Sequence, residues 1–80
     1  MTLKEAIIQR IFKLCDERGL TINKLSTVCG MTQSTINNIV NGRNKSTTTS
    51  TVKKICDGLD ITIADFFDDS LFRDLEQEIK

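Results

Sequence analysis

Apolar residues recur along the chain at intervals of three and four positions, which is the pattern of amphipathic helices. The first such stretch begins at Thr2 and Glu5, a T-x-x-E capping box that favours a helix start. It ends at Gly19, because glycine readily adopts the left-handed conformation that closes a helix. The apolar positions of this first predicted helix are Ile7, Ile8, Ile11, Phe12 and Cys15.

Two shorter helices are predicted next, separated by a tight connection. Thr21 is a good N-cap for the second helix, and Gly30 ends it. Thr32 caps the third helix, which ends at Asn41-Gly42. The apolar positions are Leu25, Val28 and Cys29 in the second helix and Ile36, Ile39 and Val40 in the third. Because a turn this short sets two helices at a steep angle, residues 21–42 are predicted to form a helix-turn-helix.

The chain after residue 48 predicts two more helices. Thr49 or Ser50 caps a fourth helix, and Gly58 is expected to follow it. Thr62 and Asp65 form a second capping-box-like pair, which predicts the start of a fifth helix. The apolar positions expected to be buried are Val52, Ile55 and Cys56 in the fourth helix and Ile63, Phe66 and Phe67 in the fifth. No stretch alternates apolar and polar residues over a useful length, so no strand is predicted.

The C-terminal segment, residues 69–80, is acidic and amphipathic, and Ser70 is expected to cap a short sixth helix there. Residues 1–68 are assigned to the helix-turn-helix domain. Residues 69–80 either belong to the same domain or provide a dimer contact. For Phe66 and Phe67, too, both core packing and a dimer contact stay open. The candidate dimer contacts are Phe66, Phe67, Leu71, Phe72, Leu75 and Ile79.

Positive and negative charges are equal in number over the whole chain, but they are concentrated in different parts of it. The 80 residues contain 11 Lys+Arg and 11 Asp+Glu, which gives a formal net charge of zero. Residues 1–56 carry nine basic and three acidic residues, whereas residues 57–80 carry two basic and eight acidic ones. A basic body with an acidic C-terminal part indicates an anionic partner for the body, although a dipolar surface without function gives the same pattern.

Composition excludes several classes of protein. No stretch approaches the ~18 apolar residues of a membrane helix, and the charged N-terminal residues do not resemble a signal peptide. The chain has no histidine, no phosphate-binding glycine loop and no metal-ligand spacing, so we predict no enzyme, no metal and no cofactor. The odd number of cysteines and the lack of a C-x-x-C pair predict reduced thiols in a cytoplasmic protein: Cys15, Cys29 and Cys56.

The third predicted helix has an unusual polar face. Residues 28–42 contain no charged side chain, although 28% of the chain is charged. Four amide or hydroxyl residues fall at positions i, i+3, i+4 and i+7: Ser34, Asn37, Asn38 and Asn41. Asn and Gln suit base edges in the major groove, where either can pair bidentately with adenine. An Asn-rich solvent face from a biased composition is the alternative interpretation.

The residues that flank this helix favour the nucleic-acid interpretation. Arg43 and Lys45 follow the helix directly, and Asn44 and the Ser/Thr run after it can donate to phosphates. The free N–H groups at the helix starts after Thr21 and Thr32 also suit phosphate oxygens.

A set of short motifs lies at fixed spacing along the chain: Leu25-Ser26, Gly30, the run from Met31 to Ile36, Asn41-Gly42, Val52 with Ile55-Cys56 and Gly58-Leu59, and Ile63 with Phe66-Phe67. Together these motifs resemble the phage-repressor/Cro-type helix-turn-helix family, also called the XRE family, from Ile7 to about Phe67. The resemblance implies an all-α fold, a compact five-helix lambda-repressor-like DNA-binding domain, here with a short sixth C-terminal helix.

The family also implies roles for individual residues. Gln33, Ser34 and Asn38 occupy base-reading positions, and Thr35 and Asn37 are adjacent candidates. Asn41, Arg43, Asn44 and Lys45 match the loop that contacts the DNA backbone. Apart from the resemblance, we also expect backbone contacts at the helix starts, from Thr21, Lys24 and Thr32.

The leading hypothesis is a sequence-specific transcriptional regulator, a repressor that binds a two-fold symmetric operator in double-stranded DNA as a homodimer. The alternative is an antitoxin or adaptor whose acidic C-terminal segment binds another protein. No membrane partner is expected.

Overall fold

The computed structural model describes residues 1–43 and 47–79, and all the regular secondary structure in these ranges is helical. No strand occurs within them, and none of their helices is long and apolar enough to cross a membrane. The helices are α1 (Leu3–Arg18), α2 (Ile22–Val28), α3 (Gln33–Val40), α4 (Thr49–Leu59) and α5 (Ile63–Phe67), followed by one 3-10 turn (Ser70–Phe72). The predicted all-helical fold with five helices is therefore confirmed.

Hydrogen bonds confirm four of the predicted N-caps. The hydroxyl of Thr2 accepts from the Glu5 backbone N–H at 3.1 Å, and the Glu5 carboxylate accepts from the Thr2 backbone N–H at 3.3 Å. Thr62 and Asp65 form the same reciprocal box at the start of α5. The other two caps are Thr21 and Thr32. Because each cap satisfies an otherwise unpaired N–H, the four helix starts follow from local sequence.

The boundaries of α4 differ from the prediction. The N-cap is Thr48, not Thr49 or Ser50, and the helix continues through Gly58 to Leu59. Asp60 closes the helix in a left-handed conformation, with φ of 56°. Gly58 is needed for a different reason: a Cβ atom there would lie 2.7 Å from the Cys29 sulfur and 2.8 Å from the Val28 carbonyl oxygen. The missing side chain thus lets α4 approach the end of α2.

One hydrophobic core joins all five helices. Its centre includes Phe66, which is fully buried between the helices. The buried apolar side chains are Ala6, Ile7, Ile11, Leu14, Cys15, Leu25, Cys29, Ile36, Ile39, Val52, Ile55, Cys56, Leu59 and Phe66. Ile63 was predicted to be buried and is instead 43% exposed, because the short α5 turns only Phe66 fully inward. Phe12 and Val28 are also exposed.

The predicted short sixth helix is present only as one 3-10 turn, and it does not extend to Leu75 and Ile79 as predicted. Residues 70–72 form a single 3-10 turn, and its N-cap is Asp69, whose carboxylate accepts from the Leu71 N–H at 2.9 Å. Leu75 and Ile79 lie outside any helix, and Ile79 is 87% exposed. Beyond this turn the N–H of Glu76 donates to the Met1 carbonyl oxygen at 3.0 Å, which joins the C-terminal segment to the start of the chain.

The aromatic residues near the C-terminus mainly pack on one another. Phe72 lies 4.9 Å from Phe67 and 6.1 Å from Phe66, measured between ring centroids. Phe67 and Phe72 are half-buried against the core, whereas Phe66 has no exposed surface. Of the two interpretations of Phe66, core packing is correct, and a direct dimer contact by this side chain is excluded.

Candidate nucleic-acid interface

The connection between α2 and α3 holds the two helices against each other. Gly30 adopts a φ of 68°, and the Met31 N–H donates to the Ser26 carbonyl oxygen at 2.9 Å. Ser26 itself is 1% exposed and its hydroxyl donates to the Asn23 carbonyl oxygen at 2.6 Å. A small, internally satisfied side chain at this position allows close packing of the pair, and α2 and α3 do pack together.

The orientation of α3 is fixed by its apolar side. Ile36 and Ile39 are buried in the core, and Val40 packs against it. The predicted base-reading residues therefore lie on the opposite, outward side of the helix. Gln33, Ser34, Thr35 and Asn37 are exposed, and Asn38 is half-buried.

The polar groups on this face are not equivalent. The hydroxyls of Thr32 and Thr35 lie 2.8 Å apart and hydrogen bond to each other, and the Thr35 N–H donates to Thr32 at 3.1 Å. These two hydroxyls serve the helix cap. The side chains of Gln33, Ser34, Asn37 and Asn38 make no hydrogen bond to any residue in 1–43 or 47–79. Their donors and acceptors are available to a ligand.

The C-terminal end of α3 is closed by backbone hydrogen bonds. Asn41 is the C-cap, Gly42 adopts a φ of 72°, and the Arg43 N–H donates to the Asn38 carbonyl oxygen at 3.1 Å. Arg43 is exposed directly beyond the helix. Two of the predicted backbone contacts, Asn44 and Lys45, lie outside the described residues.

Lys4 also belongs to this region, and sequence reasoning missed it. Its ammonium group donates to the Gly42 carbonyl oxygen at 2.6 Å, which joins the start of α1 to the end of α3. A cation at a helix C-terminus interacts favourably with the helix dipole and with unpaired carbonyls. No sequence signal pointed to this contact, because the two residues are 38 positions apart.

The remaining predicted backbone contacts lie at the starts of α2 and α3. Thr21 accepts from the Lys24 N–H at 3.1 Å, and both side chains are exposed. Thr32 caps α3 as described above. Thr21 and Lys24 thus provide an exposed hydroxyl group and an exposed cation at the N-terminus of α2.

The cysteines do not form a metal site within the described ranges. No group of three or more Cys, Asp or Glu residues there is arranged to hold a metal ion. All three cysteines are free and buried: Cys15, Cys29 and Cys56. Burial raises the pKa of the Cys29 thiol to about 11, and it raises the pKa of Cys15 and Cys56 as well. These thiols are protonated at neutral pH and act as core residues, as predicted.

A helix-turn-helix with an uncharged polar face on its second helix and a cation at the end of that helix defines a class of DNA-binding domain. Residues 10–70 match the model of the Cro/C1-type HTH DNA-binding domain, and the chain belongs to this family. The chain is also similar to a solved structure described as the crystal structure of the prophage Lp1 protein 11. The two share 35% sequence identity with a TM-score of 0.81, over 94% of this chain and 99% of that one. Comparison with curated proteins gives no match.

Proposed function

We propose that this protein is a sequence-specific transcriptional regulator, a repressor that binds a two-fold symmetric operator through the major groove as a homodimer. The observation that carries the proposal is the outward face of α3. Gln33, Ser34 and Asn37 are exposed and Asn38 is half-buried. The side chains of these four residues make no hydrogen bonds within the described part of the chain, whereas the Thr35 hydroxyl is paired with Thr32. Solvent-facing helix surfaces ordinarily carry Glu and Lys, which stabilise a helix better than Asn does.

In the proposed complex α3 lies in the major groove. A helix rises about 1.5 Å per residue, so Gln33 and Asn41 are separated by roughly 12 Å along its axis. A helix in the major groove presents three to four side chains to base edges, so one copy of α3 reads a short run of neighbouring base pairs. A second copy reads the symmetric half-site about one helical turn away, at ~34 Å.

Phosphate contacts position the reading helix. Arg43 is exposed at the C-terminal end of α3, and Lys24 is exposed in the first turn of α2. Lys4 holds the Gly42 carbonyl and so fixes the backbone from which Arg43 projects. Such contacts set the register of the helix on the duplex without reading its sequence. Occupation of a promoter by the bound dimer would then repress transcription.

We assign the dimer contact to the acidic C-terminal side. Ile63 on α5 is 43% exposed, Ile79 is 87% exposed, and Leu71 and Leu75 are half-buried. The half-buried faces of Phe67 and Phe72 adjoin them in the proposed contact. Most of the acidic residues are in residues 57–80, which suits a surface turned away from the phosphates. If this surface binds a different protein instead, the antitoxin or adaptor alternative holds.

The test is selection of bound sequences from a pool of random duplexes by the full chain, at low and moderate salt. Enrichment of a two-fold symmetric site, with affinity that falls steeply as salt rises, is the expected result. No enrichment at any salt would overturn the proposal.

Sedimentation equilibrium tests the dimer contact with a matched pair of substitutions. Ile63→Ser should weaken self-association, whereas Phe12→Ser, at a residue on α1 that is equally exposed, should not. A chain that stays monomeric at the concentrations that saturate the operator would contradict the homodimer.

A further inference from the structure

The chemistry of α3 also restricts which bases it can read. From the N-cap Thr32 to Gly42 the chain contains no Lys or Arg. Bidentate contact by Arg or Lys to the O6 and N7 atoms of guanine is the commonest specific contact in the major groove. The helix that faces the DNA in the proposed function lacks the side chains for that contact.

What α3 offers instead is amide groups. Gln33 and Asn37 lie four residues apart on the exposed surface, about 6 Å along the helix axis, and Asn38 adjoins them. A carboxamide has one acceptor and two donors. It can accept from N6 of adenine and donate to N7 at the same time, which is the pairing that Gln and Asn favour.

The hydrogen bonds within α3 show which of its polar side chains are free to contact bases. The hydroxyls of Thr32 and Thr35 are engaged with each other at the helix cap. The three amides and Ser34 have no hydrogen-bond partner among the residues described. A buried amide left unpaired would cost free energy, so each amide that the interface covers needs a hydrogen-bond partner, and an adenine edge offers it both a donor and an acceptor.

We propose that α3 reads A·T base pairs: the segment of each half-site that it contacts has adenine opposite at least two of the amides Gln33, Asn37 and Asn38, and requires no guanine. This inference rests on the proposed function, since it concerns the same DNA-binding face. Guanines elsewhere in the operator, outside the segment that α3 contacts, are compatible with it.

The first experiment is the selection described above, repeated with Gln33→Ala and Asn37→Ala. We expect each substitution to relax the preference at one A·T position in each half-site, by about 5- to 150-fold in discrimination. Gln9→Ala, the same change at an exposed residue of α1, should leave the enriched sequence unchanged. If the positions that relax are G·C in the wild-type site, or if none relaxes, the A·T inference is overturned while operator binding stands. If no sequence is enriched, the proposed function fails first.

A second experiment tests the bidentate contact at the level of single atoms. Replacing the adenine at each position that relaxes by 7-deazaadenine removes its N7 acceptor and leaves its Watson–Crick pairing intact. The wild-type protein should bind the modified operator at least several-fold more weakly, and the variant that lost preference at that position should bind both operators equally. Equal sensitivity of wild type and variant to the modification would show that the amide does not contact this adenine, and would overturn the proposal.

Discussion

Arg10 Nε donates a hydrogen bond to the carbonyl oxygen of Phe66 at 2.7 Å, and this contact links α1 to the end of α5 across 56 positions of sequence. The guanidinium also donates to the Asp65 carbonyl oxygen at 2.9 Å and lies 3.3 Å from the carboxylate of Asp69. Arg10 is only 8% exposed, so its charge is stabilised by these partners rather than by water. The contact holds the turn that inserts Phe66 into the core.

Arg10→Met should therefore destabilise the fold, although methionine fills much of the same volume. Two backbone carbonyls and the Asp69 carboxylate would lose a donor. We expect a loss of about 2–4 kcal/mol in the free energy of unfolding, measured by urea denaturation. Arg18→Met changes an exposed arginine at the end of the same helix and should cost less than about 1 kcal/mol. Equal effects of the two substitutions would mean that the buried hydrogen bonds contribute nothing.

The second prediction concerns acid stability and Asp69. Hydrogen bonds from the Lys13 ammonium and from the Leu71 N–H hold the pKa of this carboxyl below its ordinary value of 3.8. A carboxyl with a lowered native pKa binds fewer protons when folded, so it stabilises the fold above about pH 3.8. That stabilisation is lost as the pH falls through the lower native pKa. Asp69→Asn should be less stable than wild type at pH 6, and the difference should shrink towards pH 2.

Urea denaturation across this pH range is the measurement. Asp68→Asn is the control, because Asp68 is an exposed neighbour that forms no ion pair with the residues described. An Asp69→Asn variant whose deficit stays constant from pH 6 to pH 2 would show that the side chain acts through shape and neutral hydrogen bonds alone.

Gly58→Ala is predicted to destabilise the protein in spite of helix propensity. In an open helix interior this change would stabilise by about 1 kcal/mol. Here the new methyl group would meet the Cys29 sulfur and the Val28 carbonyl oxygen at less than 3 Å, so α4 must move away from α2. We expect a net loss of about 1–3 kcal/mol, seen as a lower Tm. Lys54→Ala, at an exposed position of the same helix, should be close to neutral. A raised Tm for Gly58→Ala would contradict the close approach.

Gly19 and Gly58 have different structural roles, and only one of these roles could be predicted from the sequence. Gly19 closes α1 through local backbone conformation, which a sequence pattern reveals. Gly58 is set by a contact with a helix 30 positions away, and its position near a helix end misleadingly suggested a stop. The α4 start was misplaced by one or two residues, because several hydroxyl residues in a row can each cap a helix. The C-terminal segment contacts the other end of the chain, where the Glu76 N–H donates to the Met1 carbonyl oxygen, and its periodicity did not indicate this contact.

Much of the candidate site could also be predicted from a local sequence pattern, the helical periodicity of α3. The outward face of α3 follows from helical periodicity once Ile36 and Ile39 face the core, so its polar residues could be identified from spacing. The engagement of Thr35 with Thr32 and the contact of Lys4 with Gly42 depend on side-chain geometry or on distant packing. Periodicity carries no information about either.

The buried thiols should be unreactive in the folded protein. A pKa of about 11 for Cys29, against an ordinary value of 9.0, reduces its thiolate fraction at pH 8 about 100-fold. Burial of the sulfur limits access further. Mass spectrometry after iodoacetamide treatment at pH 8 should find Cys29 unmodified in the native chain and fully modified in urea. Native modification at the unfolded rate would show that the core around Cys29 opens readily.

The last prediction tests whether Arg43 contacts the phosphate backbone or the bases in the proposed complex. Arg43 is exposed next to the reading helix and is proposed to contact phosphate, so Arg43→Gln should weaken binding to all sequences by a similar factor. The slope of log K against log salt should become shallower by about 0.9 per lost contact in each protomer, while the enriched sequence stays the same. Arg18→Gln removes the same charge from the end of α1 and should change the slope little. If Arg43→Gln alters the enriched sequence instead, Arg43 reads a base; if the slope is unchanged, Arg43 does not contact the DNA.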